Sequence, residues 1–356
     1  TPISVRALKA RLHAVVSKRS LGKHLGFAVA ALGSSHLLWQ LGGPRPITPA
    51  STLKLLTTTA ALDVLGPQKR FATTVVRGGP KNQIVLVGGG DPLLTDVPPA
   101  PAAAATLYPR QATLLQLARR TALRLRQEGL RRVTLSYDTS LFSGPQANPQ
   151  WPSTYIPEDV VSPISPLWVN EGRPSADSAG RVAHPAAFAA HRFAQLLGKQ
   201  GINVRGAVTQ RRAPAGSTRL AAVYSAPLAE IVEHILELSD NEGAEVLLRQ
   251  VAIGRGLPGS STAGVSTVRA VIRALGIDLG SAVFYDGSGL SRHDRVPVRT
   301  LIQVLQTYAA PANGQLRTVV TTLPVAGFTG TLAYRFVADA PRGVGVVRAK
   351  TGTLTG

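Results

Sequence analysis

The sequence predicts a mixed α+β protein in which an α/β unit interrupts a second domain, and three observations predict it. The first is a run of Leu, Thr and Ala with a single acid over residues 53–65, a helix that belongs inside a protein rather than on its surface. The second is the interval from about 75 to 212, where short β-branched runs alternate with amphipathic helical stretches until a Pro-Ala-Gly-Ser segment at 214–217. The third is the helical patterning that follows, over 228–238, 245–253, 265–275 and 298–308. A chain of 356 residues is long enough for two cores. The expected domains are therefore 1–74 together with 213–356, and an inserted unit at 75–212.

Taken in order, residues 5–18 place Leu8, Leu12, Val15 and Val16 on one helical face. Residues 26–32 and 36–40 read as strands around Gly33-Ser34-Ser35. A helix then opens with Thr48 as its cap and Pro49 in the first position, and Gly66-Pro67 stop it. Strands are expected at 71–77 and 84–87, the second running into Gly88-Gly89-Gly90-Asp91-Pro92. A Pro/Ala loop at 98–105, a basic helix at 113–128 and a strand at 133–138 come next. Proline-rich irregular chain at 143–174, a helix at 186–197 and a strand at 204–210 complete the inserted interval. Beyond it, Ser239 to Gly243 separates two helices, 283–285 is a short strand, and an apolar strand at 344–349 delivers Lys350-Thr351-Gly352-Thr353.

Composition removes several functions. With no Cys, metal-thiolate, disulfide and thiol-nucleophile chemistry are absent. The seven His are dispersed, and His234 with Glu237 lacks the second His of a zinc-protease helix, so neither metal nor cofactor is expected. Gly254-Arg255-Gly256-Leu257-Pro258-Gly259 has dinucleotide spacing but follows a helix and carries a Pro where a helix should open, so it reads as a loop. No run of about twenty apolar residues spans a membrane. The net charge of +20 attracts polyanions, whether wall polymer, anionic lipid or nucleic acid. Aromatics make up only 5% and do not interleave with the scattered Arg pairs, which removes the stacking platform of a nucleic-acid binder.

Three short motifs carry chemistry. Ser51 and Lys54 stand three residues apart on one helix, so their Cβ atoms are about 5–6 Å apart and the amine can take the hydroxyl's proton. The helix N-terminus there favours the negative charge of acyl transfer. The spacing recurs at Ser20 and Lys23 with a Gly between and no apolar helix behind it. Ser239 and Asn241 sit between two helices, where they could enter a cleft; Ser239 and Glu242 equally have capping-box spacing. Lys350, Thr351 and Gly352 end a strand, where a cation and hydroxyls can hold a carboxylate and Gly352 leaves room for a substrate backbone.

The order Ser-x-x-Lys, Ser-x-Asn, Lys-Thr-Gly resembles the signature set of penicillin-binding proteins and serine β-lactamases. With Val87 to Pro92 and Tyr285-Asp286-Gly287-Ser288-Gly289-Leu290-Ser291-Arg292, the chain is similar to the penicillin-binding protein 4 type of D-alanyl-D-alanine carboxypeptidase/endopeptidase from about residue 26 onward. That resemblance implies a transpeptidase/β-lactamase-like core of antiparallel sheet flanked by helices, with the α/β domain inserted after the Ser51 helix. It implies an extracytoplasmic enzyme, periplasmic, wall-bound, secreted or membrane-associated, that cuts peptidoglycan stem peptides and is inhibited by β-lactam antibiotics. Carried over, Ser51 is the nucleophile and Lys54 its base, kept partly neutral by Lys350 and burial. Ser239 relays a proton to the leaving D-Ala, and Asn241 holds the substrate amide and positions Lys54. Thr351 and Thr353 bind the terminal carboxylate beside Lys350, and the backbone N–H groups of Ser51 and Thr353 form the oxyanion hole.

The rivals are a β-lactamase, with Glu158 or Glu171 as deacylating base, and a non-catalytic scaffold holding anionic wall polymer on its basic surface. The interval from Ser51 to Ser239 is longer than the β-lactamase fold uses. The chain begins without Met or a signal peptide, as a mature or trimmed product would. It stops four residues after Gly352. The family continues there into further core strands and a helix, so the C-terminal core strands are expected to be missing, as in one piece of a longer protein.

Overall fold

The computed structural model describes residues 4–354 except 19–20, 22–23, 33, 35, 43–44, 99–106 and 310. The expected turn at 33–35 and the Pro/Ala loop at 98–105 therefore lie largely outside the described residues. Helix α1 (Val5–Val16) keeps Leu8, Leu12 and Val16 half-buried and is capped by Ser4. Strands β1 (Phe27–Ala30) and β2 (Leu37–Leu41) pair antiparallel, with the Phe27 and Trp39 rings 5.4 Å apart. Strand β3 (Pro46–Ile47) pairs with β10 (Val296–Pro297) in a second short ladder.

Helix α2 (Lys54–Leu65) has no polar stripe, and every residue from Lys54 to Leu62 is buried. It can be hidden on all sides because five helices surround it. They are α5 (Leu228–Leu238), α6 (Asn241–Gly254), α7 (Ser261–Ala274), α8 (Val298–Ala309) and α9 (Arg317–Thr321), whose apolar residues join it in one core. The three threonines of α2 are satisfied inside this core. Thr58 and Thr59 donate to the carbonyls of Lys54 and Leu55 one turn back, and Thr57 donates to Gly287 O at 2.8 Å.

The second core belongs to a six-stranded sheet of β4 (Ala72–Arg77), β5 (Gln83–Val87), β6 (Arg132–Asp138), β7 (Asn203–Val204), β8 (Thr209–Gln210) and β9 (Arg219–Tyr224). The order is β7-β6-β5-β4-β9, with β8 also on β6. β4 is antiparallel to β5 and β9, whereas β5, β6 and β7 run parallel. Parallel neighbours need crossovers, and α3 (Leu114–Gln127) and α4 (Pro185–Lys199) supply them. Both helices cover the sheet face bearing Ile84, Leu86, Val133, Leu135 and Val223.

Several expected elements form differently. The strand expected at 204–210 divides into β7 and β8 around Gly206, whose φ of +75° no strand residue adopts. The segment 283–285 contributes a single bridge, Val283 to Arg295. The strand expected at 344–349 is absent, because its residues find little ladder to join. Val346 and Val347 turn back onto Gly343, and only the Val325–Arg348 bridge with its flanking bonds to Pro324 and Ala326 is extended pairing. The sheet also reaches past the expected domain limits, since β4 straddles 74/75 and β9 lies beyond 212.

The proline-rich chain at 143–174 is irregular but packed. Trp151, Tyr155, Val161, Ile164 and Trp168 form a third apolar cluster with Val246 of α6 and Leu290, joining the two cores.

Phe193 is fully buried where α4 meets the sheet. Phe193→Ala is expected to lower unfolding free energy by about 3–5 kcal/mol, read from urea denaturation followed by tryptophan fluorescence.

Candidate active site

Ser51 does not sit in the first α-turn. Residues Ala50–Leu53 form a 3-10 turn that leads into α2 at Lys54, and its N-cap, Pro49, has no side-chain bond to give. Thr48, the expected cap, instead accepts from Arg295 Nη1 at 2.9 Å. In a 3-10 turn, side chains at i and i+3 eclipse, which aligns Ser51 with Lys54 more directly than an α-turn would. Ala50, just before the serine, has a left-handed φ of +46°. Its carbonyl is pressed against Gly289, where a Cβ would lie 1.9 Å from Ala50 O. The second Ser-x-x-Lys copy, at 20–23, lies mostly outside the described residues.

Lys54 is 0% exposed, and its ammonium donates to Ser51 Oγ at 2.9 Å, Asn241 Oδ1 at 2.7 Å and Ser288 O at 2.8 Å. Three protons meet three acceptors. Burial lowers its pKa to about 8, against the opposing pull of Asp240, Asp286, Glu245 and Glu242. The repulsion expected from Lys350 acts the other way. Lys350 is pushed down to about 7, mainly by burial and then by the charge on Lys54. It gives up its proton first, so it is the amine that feels the other's charge.

Lys350 donates to Ser239 Oγ at 2.8 Å and to Thr351 O at 2.9 Å. Ser239 ends α5 with a left-handed φ of 62°. The capping box does not form: Asp240 caps α6, accepting from Gly243 N at 3.0 Å, while Glu242 pairs with Arg181 at 2.8 Å. Asn241 is thus the first residue of α6 rather than part of a loop. Thr351 Oγ1 donates to Thr331 Oγ1 at 3.0 Å. Gly352 lies close to the serine turn, where a Cβ would come 2.9 Å from Pro49 O, so its missing side chain lets the two segments approach. Thr353 follows, exposed. The candidate residues thus gather as Ser51, Lys54 and Asn241, with Ser239 and Lys350 as a second hydrogen-bonded pair.

The turn at 286–291 contributes more than its sequence announces. Glu245 Oε1 accepts from Gly287 N at 2.8 Å, Ser288 N at 2.9 Å and Ser288 Oγ at 2.8 Å, which holds the Ser288 carbonyl toward Lys54. Asp286 accepts from Gly289 N at 2.8 Å, Ser291 N at 2.7 Å and Trp151 Nε1 at 2.8 Å. Burial and then the Asp286 carboxylate raise Glu245 to about 7 and Asp294 to about 9, so Asp294 is protonated at neutral pH. Glu245, Asp286 and Ser288 were not among the sequence candidates. An acid one turn beyond Asn241 on an apolar helix is the signal that could have found Glu245.

Residues 8–180 and 174–356 match the D-Ala-D-Ala carboxypeptidase 3 (S13) family. A carboxypeptidase of Mycobacterium tuberculosis is 37% identical over 99% of this chain and 75% of its own length. A D-alanyl-D-alanine carboxypeptidase of Actinomadura is 29% identical over 93% of this chain and 73% of its own length. The crystal structure of penicillin binding protein 4 from Haemophilus influenzae superposes with a TM-score of 0.75 at 23% identity, over 99% of this chain and 88% of that one, so the two share a fold.

A Cβ at Gly289 would displace the Ala50 carbonyl, and φ there is +82°. Gly289→Ala is expected to cost about 1–3 kcal/mol of stability and to slow any reaction at Ser51 at least tenfold, in thermal unfolding and covalent-labelling rates respectively. Because Lys54 is a base only when neutral, the rate of covalent reaction at Ser51 should rise about tenfold per pH unit up to about 8 and level off above it, measured by stopped-flow.

Proposed function

The chain belongs to the D-Ala-D-Ala carboxypeptidase 3 (S13) family, and from that premise we propose that it is a serine D,D-peptidase forming its acyl-enzyme at Ser51. Its substrate is a peptidoglycan stem peptide ending in D-Ala-D-Ala. The observation that carries the assignment is the Lys54 ammonium, buried and fixed by Asn241 and Ser288 O with its nitrogen 2.9 Å from Ser51 Oγ.

Neutral Lys54 takes the Ser51 proton as Oγ bonds to the carbonyl carbon of the penultimate D-Ala. The backbone N–H groups of Ser51 and Thr353 hold the oxyanion. As the C–N bond breaks, the leaving D-Ala nitrogen receives a proton through Ser239, which Lys350 reaches at 2.8 Å. Lys350, Thr351 and Thr353 hold the substrate carboxylate, and that negative charge raises the affinity of Lys350 for its proton. Water then attacks the ester, returning Ser51 and the shortened peptide. If the leaving amine belongs to a neighbouring stem peptide, the same steps cut a cross-link. A β-lactam presents a strained amide to Ser51 and acylates it.

The β-lactamase reading needs a free carboxylate at the ester. Glu171 is engaged by Arg173 and His234, and Glu158 is exposed. We place the reaction outside the cytoplasm, where the wall polymer is, and take the net charge of +20 to draw the protein toward anionic wall polymer or a membrane surface. No helix among the described residues is long and apolar enough to cross a membrane. We read the inserted unit as residues 72–224, the extent of its sheet, in place of 75–212.

Incubated with benzylpenicillin, the protein should gain the mass of one intact penicillin on the peptide containing Ser51, and Ser51→Ala should gain none. The same variant should release no D-Ala from a synthetic stem pentapeptide. Labelling at another residue, or D-Ala release by Ser51→Ala, would remove Ser51 from the nucleophile's role.

A further inference from the structure

The sequence offers His234 no second histidine on its own helix, but the fold brings it ligands from elsewhere. His234 on α5, Glu171 on the turn Asn170–Gly172 and Asp240 between α5 and α6 each present one donor atom, and all three donors lie within 4.8 Å of one another. His234 Nε2 is 3.6 Å from Glu171 Oε1.

Among the described residues, one carboxylate of this cluster makes no ion pair. Glu171 gives its other oxygen to Arg173, and Glu242 pairs with Arg181 at 2.8 Å. Asp240 makes no ion pair among the described residues, although Arg173 and His234 lie close enough to act on its charge. Its Oδ1 caps α6, whereas its Oδ2 is buried from solvent without a hydrogen-bond partner. A buried carboxylate oxygen with nothing to accept is costly unless something electropositive meets it.

We propose that Glu171, His234 and Asp240 together bind one divalent transition-metal cation, with zinc the best match. One imidazole nitrogen with two carboxylate oxygens disfavours magnesium and calcium, which prefer all-oxygen shells. At bond lengths of about 2.0–2.1 Å, tetrahedral ligand atoms stand roughly 3.3 Å apart, so the three donors need close by at most about 1.5 Å, within side-chain rotation. Water completes the shell.

Asp240 lies between Ser239, which meets Lys350, and Asn241, which meets Lys54. A cation on Asp240 therefore pins this loop to α5 and to the inserted unit. It positions the loop and touches no substrate. The binding itself does not depend on the peptidase reading, and its test needs no activity.

Metal-stripped protein is titrated with Zn²⁺ by calorimetry and with Co²⁺ by visible absorption. One equivalent should bind at about micromolar Kd or tighter, with the intense d–d bands of four-coordinate cobalt, and the melting temperature should rise with zinc. His234→Ala, and separately His234→Gln, should weaken binding at least roughly 100-fold and remove the bands, with circular dichroism confirming that each variant folds. No stoichiometric binding to the wild type at 100-fold excess, or unchanged binding in both folded variants, would overturn the site. The second result would assign the ions to other histidines.

Discussion

The buried ammonium of Lys54 draws three distant parts of the chain to one point. Its protons go to the serine turn, to the first residue of α6 and to the carbonyl of Ser288. The ammonium itself is buried from solvent, so its acceptors must be supplied by the fold and kept in place. The fold does so in layers. Glu245 fixes the Ser288 turn, Asp286 fixes the same turn from its other end, and Trp151 fixes Asp286. The carboxylates that hold the turn also offset part of the burial penalty on the amine, which leaves Lys54 poised near neutrality and not fully discharged.

Helix α6 is the member that joins this arrangement to the rest. Asn241 opens it at Lys54, and Glu245 one turn on holds the turn at 286–291. Arg249 pairs with Glu245 beneath. Gln250 then donates to the carbonyls of Gly89 and Gly90, in the glycine loop that leaves β5. A Cβ at Gly89 would lie 1.9 Å from Ala72 O of β4 and one at Gly90 2.2 Å from Gln250 Nε2 of α6, so the glycine run lets the chain pass close to both the sheet and the helix. One helix thus spans from the Lys54 ammonium to the glycine loop at the end of β5.

What the sequence disclosed follows from how far its signals reach. Ser51 and Lys54 were legible because their relation is local, and the later motifs because each is contiguous. Glu245 and Ser288 were not, since their partnership crosses 43 residues and no pattern in either segment records it. The expected Thr48 cap does not form, and of the two readings open for Ser239 the capping box does not, for a related reason: Arg295 and Lys350 engage these side chains from across the fold. The apolar run at 344–349 has strand composition, yet a strand is a statement about neighbours, and composition does not carry neighbours. The sheet's true limits were hidden likewise, because β4 pairs with β9 across most of the inserted interval.

Trp151 comes from irregular chain within the insert, and it donates to Asp286 while packing on Leu290. That irregular segment is consequently tied to the turn beside Lys54 and not merely appended to it. A chain without that segment would lose the indole that orients the turn at 286–291 and would bare Val246 of α6 and Leu290 along one apolar seam. Change on either side of that seam has to be matched on the other, so the two cores are bound to evolve as one unit and resist being exchanged as separate parts.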